Sequence, residues 1–388
     1  MSRKKGKIVD KERIDRFWKI GEALLEGGLL LTDLYVYFSG ANRNKRNVNA
    51  SKTKTPRILI DEKRRMEIKR FATQIVDGRY TVYDELPKMI APYIAGNEEL
   101  KLALCYSLAS TPEKPVHLLI IGNPASVKSD LLHEVKEIFP EAVLGGPRST
   151  EAGLTINSQD GSPGLLMLAN DRIALIDEFD KIRKSEINAT YQALESGVIS
   201  VNTGKFKGQY ATKFICVATA NPKGGAFQED PKSIRKQIEQ VFPLPLLSRF
   251  HMIFLLRKEP SDRIKDAVTA ILTRKDKMNP NKKFLRDYFI YIRQKCRNVE
   301  FTFSKNDPIV SEMTHFVVDA LERGERGQIC YGLTKRFAEA LKRISISSAR
   351  LRLSRKVEEI DVRNAMNILN FTLNSAAHHY MNETILRI

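Results

Sequence analysis

The sequence predicts an α/β protein: a parallel sheet flanked by helices, followed by an α-helical lid and preceded by a short, basic, mainly helical segment. Three observations carry this. Between Leu86 and Leu256 short apolar runs, mostly of four to six residues, alternate with stretches of helical spacing, the pattern of strands buried on both faces. One run passes straight into a phosphate-loop-like turn and then a helix. After Arg257 the apolar runs stop and only helix-period patterns remain.

The first region, residues 1–85, is defined by charge. The 388-residue chain carries 64 Lys and Arg against 46 Asp and Glu, a net charge of +18, and residues 1–70 alone hold 19 against 9. Such an excess predicts a polyanionic partner, and clusters at Arg3-Lys4-Lys5, Arg43-Lys45-Arg46 and Lys63-Arg64-Arg65 suit a DNA-holding arm whose phosphate contacts carry little sequence information. Ile14, Phe17, Trp18, Leu24 and Leu25 give residues 10–26 an amphipathic helix that Gly27-Gly28 stops. Phe17 and Trp18 read as its packing face rather than a base-stacking platform. A polar linker near residues 41–56 separates it from a second basic helix, residues 61–76. With 42% hydrophobic and 28% charged residues the chain is no disordered polymer. No run approaches the length of a membrane span and no leader pattern follows Met1, so the expectation is an intracellular, DNA-associated protein with no membrane partner. Cys105, Cys216, Cys296 and Cys330 are widely spaced singletons, which predicts no disulfide framework and no zinc site. His378-His379 reads as a polar helix end.

The core, residues 86–257, has predicted strands at 116–121, 142–144, 173–176, 214–218 and 252–256. The first runs into Gly122-Asn123-Pro124-Ala125-Ser126-Val127-Lys128-Ser129 and then a helix. In that order backbone N–H groups at the helix start cradle phosphate, the lysine reaches the β- and γ-phosphates, and the hydroxyl ligates Mg²⁺. Val127 stands where a glycine is usual before the lysine. The third run ends in Asp177-Glu178, with Phe179-Asp180-Lys181 beyond. A strand ending this way sets its acids beside the phosphate loop of a neighbouring strand, one toward Mg²⁺ and the next toward the attacking water. Asn221, at the tip of the 214–218 strand, is placed to reach the γ-phosphate or its water. The last region, residues 258–388, is predicted as helices at 263–274, 283–295, 307–323, 334–353 and 361–373. The basic run from Arg343 to Lys356, with Arg350, Arg352 and Arg355, reads as either a subunit interface or a solvated face.

Across roughly Leu86 to Leu373 these residues resemble the minichromosome maintenance (MCM) replicative helicases of the AAA+ class of P-loop ATPases. The most specific segments are Ile176-Asp177-Glu178-Phe179-Asp180-Lys181, Ala218-Thr219-Ala220-Asn221-Pro222 and Leu246-Leu247-Ser248-Arg249-Phe250. The resemblance implies that Lys128 and Ser129 belong to Walker A, Asp177 and Glu178 to Walker B, and Asn221 to sensor 1. It further implies that Arg249 is an arginine finger and Arg336 sensor 2, both acting on the nucleotide of an adjacent subunit. ATP and Mg²⁺ are then the cofactors, with Ser129 and Asp177 on the metal. The partners are DNA and a ring, either a homo-hexamer or a mixed ring with other MCM subunits, in nucleoid, cytoplasm or nucleus. The implied function is an ATP-dependent DNA motor in replication, a DNA-dependent ATPase. The alternative is a catalytically weak or inactive paralogue that binds nucleotide and DNA and caps or regulates an active ring. Departures motivate that alternative: Asn123, Ala125 and Val127 replace the Asp, Gly and Ala of the usual GDPGTAKS. The family's helix-2 hairpin is reduced to a short turn at residues 156–164, and in the second hairpin, residues 199–206, Thr203 stands at the pore lysine's position. Lys205 and Lys207 there are either its DNA-binding substitutes or a solvated tip. The resemblance finds no OB-fold or zinc module in the first 85 residues and no C-terminal winged helix.

Overall fold

Five apolar runs form one parallel sheet, in the order Val143–Gly145, Ile173–Ile176, Ile215–Ala220, Leu118–Gly122, Met252–Leu256. They are β3 (Leu118–Gly122), β4 (Val143–Gly145), β5 (Ile173–Ile176), β8 (Ile215–Ala220) and β9 (Met252–Leu256). Each coincides with a predicted strand to within two residues. Every residue of β3, β5 and β8 is buried, as strands covered by helices on both faces must be. Among the described residues two small antiparallel pairs complete the strands, β1 (Ile75–Val76) with β2 (Arg79–Tyr80), and β6 (Val198–Asn202) with β7 (Lys207–Ala211). The computed structural model describes residues 60–376 except 125–126, 147–152, 158–161, 203–206, 229 and 258–278. By its contacts the chain divides into Met1–Arg57 and Ile58–Ile388. The expected helix at 10–26, the linker at 41–56, the helix at 263–274, and Trp18, Ala125, Ser126, Thr203, Lys205 and His378-His379 lie outside the described residues.

The order corrects one expectation. The strand carrying Asp177 and Glu178 is not the neighbour of the phosphate-loop strand, because β8 lies between them. β3 sits between β8 and β9, and the register Leu118↔Met252 to Gly122↔Leu256 shows that β3 and β9 start and end level. Gly122 allows this contact: a Cβ there would stand 2.8 Å from the Leu256 Cβ.

Helices cover the sheet. They are α1 (Glu62–Thr73), α2 (Val82–Met89), α3 (Glu98–Ala109), α4 (Lys128–Ile138), the single turn α5 (Leu165–Leu168), α6 (Ile187–Ser196), α7 (Pro231–Glu239) and α8 (Leu244–Leu247). After β9 come α9 (Lys282–Lys295), α10 (Pro308–Glu325), α11 (Arg336–Leu351) and α12 (Glu359–Ser375), close to the predicted spans. α3 packs on β3 and β8, α4 on β5 and β8, and α12 on β9. α1 is no free arm: Arg64 pairs with Asp287 at 3.3 Å and lies over Phe284, and Phe71 packs edge-on against Phe284 and Tyr288. Of the Lys63-Arg64-Arg65 cluster, Arg64 is therefore spent on packing, while Lys63 stays exposed.

Two arginines of the 343–356 run are neither interfacial nor solvated. Arg350 is 1% exposed and donates to the carbonyls of Ala109, at 2.7 Å, and Cys296, at 2.9 Å. These carbonyls end α3 and α9, whose negative dipole ends stand in for a counter-ion. Burial lowers its guanidinium to about 10, still protonated at neutral pH. Arg352, 5% exposed, forks onto buried Asp361 at 2.7 and 3.0 Å, and Asp361 also accepts from Tyr83 and Ser348. Together they bolt the last helices to α2 and α3. Among the described residues no helix is long and apolar enough to cross a membrane, and no group of three or more His, Cys, Asp or Glu could hold a metal. The four cysteines are buried and unbridged.

Candidate active site

The carboxyl ends of β3, β5 and β8 open into a cleft of about 340 Å³ lined by Pro124, Lys128, Ser129, Asp130, Asp177, Glu178, Ala220 and Asn221. Lys128 begins α4, is 5% exposed, and donates from Nζ to the carbonyls of Gly122 (2.8 Å) and Asn123 (2.6 Å). Burial presses its ammonium below the usual lysine value, opposed by Asp177 and Asp180. Ser129 Oγ donates to Asp177 Oδ2 at 3.0 Å, so hydroxyl and carboxylate face one another across the cleft although their strands are not neighbours. The strand between supplies the link: Thr219 of β8, fully buried, donates from Oγ1 to Asp177 Oδ1 at 2.5 Å. Ser129 Oγ and Asp177 Oδ2 form an oxygen pair suited to a hard divalent cation, which would ride on the phosphates of a nucleotide. That would fit Mg²⁺ with a nucleotide, which Lys128 and the N–H groups opening α4 could hold.

Glu178 follows at φ 51°, a left-handed conformation that costs a non-glycine residue about 1–3 kcal/mol. Its N–H donates to Asp177 Oδ1 at 2.9 Å, and the bend turns an exposed carboxylate into the cleft. Asn221 is placed by Asp180, whose Oδ1 accepts the Asn221 N–H at 3.0 Å. Two departures from the family pattern now have structural readings. Asn123 keeps an acceptor, Oδ1, that takes the Phe227 N–H at 2.8 Å. Val127 sits at φ −61°, which any residue adopts, with its side chain packed against the core, so glycine's freedom is not required there.

The two arginines are elsewhere. Arg249 lies three residues before β9 begins, at the amino end of the sheet. Five strand residues, about 16 Å, separate that end from the phosphate loop, beyond the reach of one side chain. Arg249 and Arg336, the first residue of α11, line a separate cavity of about 550 Å³ with Lys335, Arg343 and Glu195, and it shares no lining residue with the cleft. Both pair with one carboxylate: Arg249 Nη2 meets Glu195 Oε2 at 2.7 Å and Arg336 Nη2 meets Oε1. The arginines, first Arg336, hold the Glu195 carboxyl below the usual range. Glu195 stands in the last turn of α6, which Gly197 ends at φ 66°; a Cβ on that glycine would meet Lys213 Cγ at 2.8 Å. β6 starts at once from this stop, and Lys207 lies exposed at the tip end of β7.

Sequence reasoning assigned no role to Thr219, Asp180 or Glu195. Signals existed for two of them. A hydroxyl inside a fully apolar buried strand must find a partner, and an acid in the last turn of a helix opposes the helix dipole.

The MCM P-loop domain family matches residues 68–275. The minichromosome maintenance protein MCM of Saccharolobus solfataricus is 29% identical over 373 residues, covering 90% of this chain and 51% of its own. The DNA replication licensing factor Mcm6 of Drosophila melanogaster is 27% identical over 314 residues, 74% of this chain and 38% of its own. Licensing factor MCM4 of the same fly is 28% identical over 337 residues, 78% of this chain and 37% of its own. The chain thus spans about half, or less, of the length of these relatives.

Proposed function

Because this chain belongs to the MCM family, we propose that it is the ATPase engine of a DNA-replication motor, hydrolysing ATP with Mg²⁺ between adjacent subunits of a ring on DNA. The observation that carries this reading is the division of one catalytic apparatus between opposite ends of one sheet. The carboxyl end has a phosphate loop, a metal-side acid and a second acid, and among the described residues no arginine lines it. The amino end has three arginines, Arg249, Arg336 and Arg343, but no phosphate loop. A chain built this way completes neither site alone, and a head-to-tail neighbour completes both.

Within the cleft Lys128 neutralises the phosphates, Ser129 and Asp177 hold the metal, and Glu178 takes the proton of the attacking water. Bound Mg²⁺ would spread the charge that builds on the transferring phosphoryl group. Asn221 orients the water or the γ-phosphate, and Arg249 with Arg336 supply positive charge from the next subunit. The β6–β7 hairpin, with Lys205 and Lys207, is the DNA-contacting element, and the basic residues 1–57 add sequence-independent affinity. A regulatory paralogue is the second reading, motivated by Ala125.

Glu178→Gln separates the two. It is expected to bind ATP as wild type does and to lose about 10²–10⁴-fold in turnover, which DNA stimulates in the wild type. Turnover assays with and without DNA, alongside the mass of the assembly, test this. A wild type that binds nucleotide and never hydrolyses it under any DNA or salt condition establishes the regulatory reading instead.

A further inference from the structure

We propose that Glu195 is a positioning residue for the arginine pair, holding Arg249 and Arg336 side by side so that they reach a neighbour's phosphates together. The inference rests on the proposed function and adds a residue to it. Four observations support it. Glu195 occupies the last turn of α6, where a negative charge opposes the dipole, so nothing in the helix itself favours an acid there. Its two oxygens are divided, Oε2 to Arg249 and Oε1 to Arg336, and two guanidiniums this close would otherwise repel. The pairing leaves donors over: each guanidinium has five N–H groups, and Arg249 Nε has no acceptor among the described residues. Finally, the helix end is anchored. His117, at the foot of β3, accepts the Cys216 N–H on Nδ1 at 3.1 Å, so its Nε2 carries the proton and donates to Leu194 O at 3.2 Å.

Among the described residues the wall around the pair contains no second free carboxylate for this task. Glu339 is engaged by Arg343, whose other nitrogen donates to Pro115 O at 3.0 Å. The same helix end that holds the arginines starts β6, so the pair is fixed to the base of the hairpin.

Glu195→Gln is the test. Its amide offers one acceptor, so one arginine keeps a partner while the other faces an N–H₂ and swings away. Turnover is expected to fall about 10²-fold, the size of effect from an ångström-scale misplacement, with KM for ATP unchanged. Adding Glu178→Gln chains, inactive themselves but intact at the arginine end, to Glu195→Gln chains is expected to raise turnover above that of Glu195→Gln alone. A loss that mixing does not relieve places the effect in the chain's own cleft and overturns the proposal. So does turnover at or above wild type for Glu195→Gln while Arg249→Ala is inactive, since Glu195 then only competes with phosphate for the arginines. If Arg249→Ala itself costs nothing, the proposed function fails first and the inference falls with it.

Discussion

The two ends of the sheet are assembled from opposite kinds of sequence. At the carboxyl end each site residue continues a buried strand: Lys128 and Ser129 follow β3, Asp177 and Glu178 follow β5, and Asn221 follows β8. At the amino end Glu195, Arg249 and Arg336 come from a helix terminus, a loop and a helix start, the partners of the two ion pairs standing 54 and 141 positions apart in the chain. The first end is a consequence of strand direction, since parallel strands must all deliver their tips to one edge. The second exists only once α6, the turn before β9 and α11 have docked. In the proposed function one end would hold phosphate and the other would offer positive charge, which is why a single chain reads as two half-sites.

The largest effect expected from breaking this division is at Arg249. Arg249→Ala is expected to lose about 10³–10⁵-fold in turnover with nucleotide binding in its own cleft retained. Mixing it with Glu178→Gln chains, assembled together from monomers, is expected to restore part of the activity at interfaces that pair an intact arginine with an intact base. Proven mixed rings with no recovery would mean that the two ends do not serve one reaction.

A smaller effect separates the ends by pH. Burial drives His117 down to about 3, and burial with the neighbouring His117 and Arg343 holds His251 well below the ordinary histidine value. The unfolded chain therefore binds protons below about pH 6.5 that the fold refuses. Stability is full above that pH and falls as the pH drops toward 3, by up to about 1.4 kcal/mol per pH unit for each histidine. Urea midpoints at pH 5, 6, 7 and 8 are expected to fall on the acid side, with a shallower slope in His117→Gln. An unchanged slope in the variant would show that proton uptake at the amino end is carried by other groups.

The smallest effect is expected at the phosphate loop. Val127 already has the backbone conformation the helix start requires, so Val127→Ala is expected to shift nucleotide affinity by less than about threefold. Titration with a fluorescent nucleotide checks it, and tighter binding by tenfold or more would mean that the branched side chain holds the loop off the phosphates.

By itself the sequence determined the strands, the later helices, the phosphate loop and both acids, because each is a short-range pattern: apolar period, a turn, a charge at a strand end. The family resemblance implied the roles proposed for Arg249 and Arg336, and nothing in their local sequence joins them. Tertiary structure alone decided the rest. Strand order is not written in any strand, so β8 could be placed between β3 and β5 only by seeing which edges pair, and with it came the task of Thr219. Charge does not state burial: Arg350 and Arg352 read like any basic run until the ends of α3 and α9 and the carboxylate of Asp361 close over them. Glu195 became a partner of two arginines for the same reason. Contacts between distant segments are chosen by how whole elements pack, and that choice depends on every surface at once rather than on neighbours along the chain.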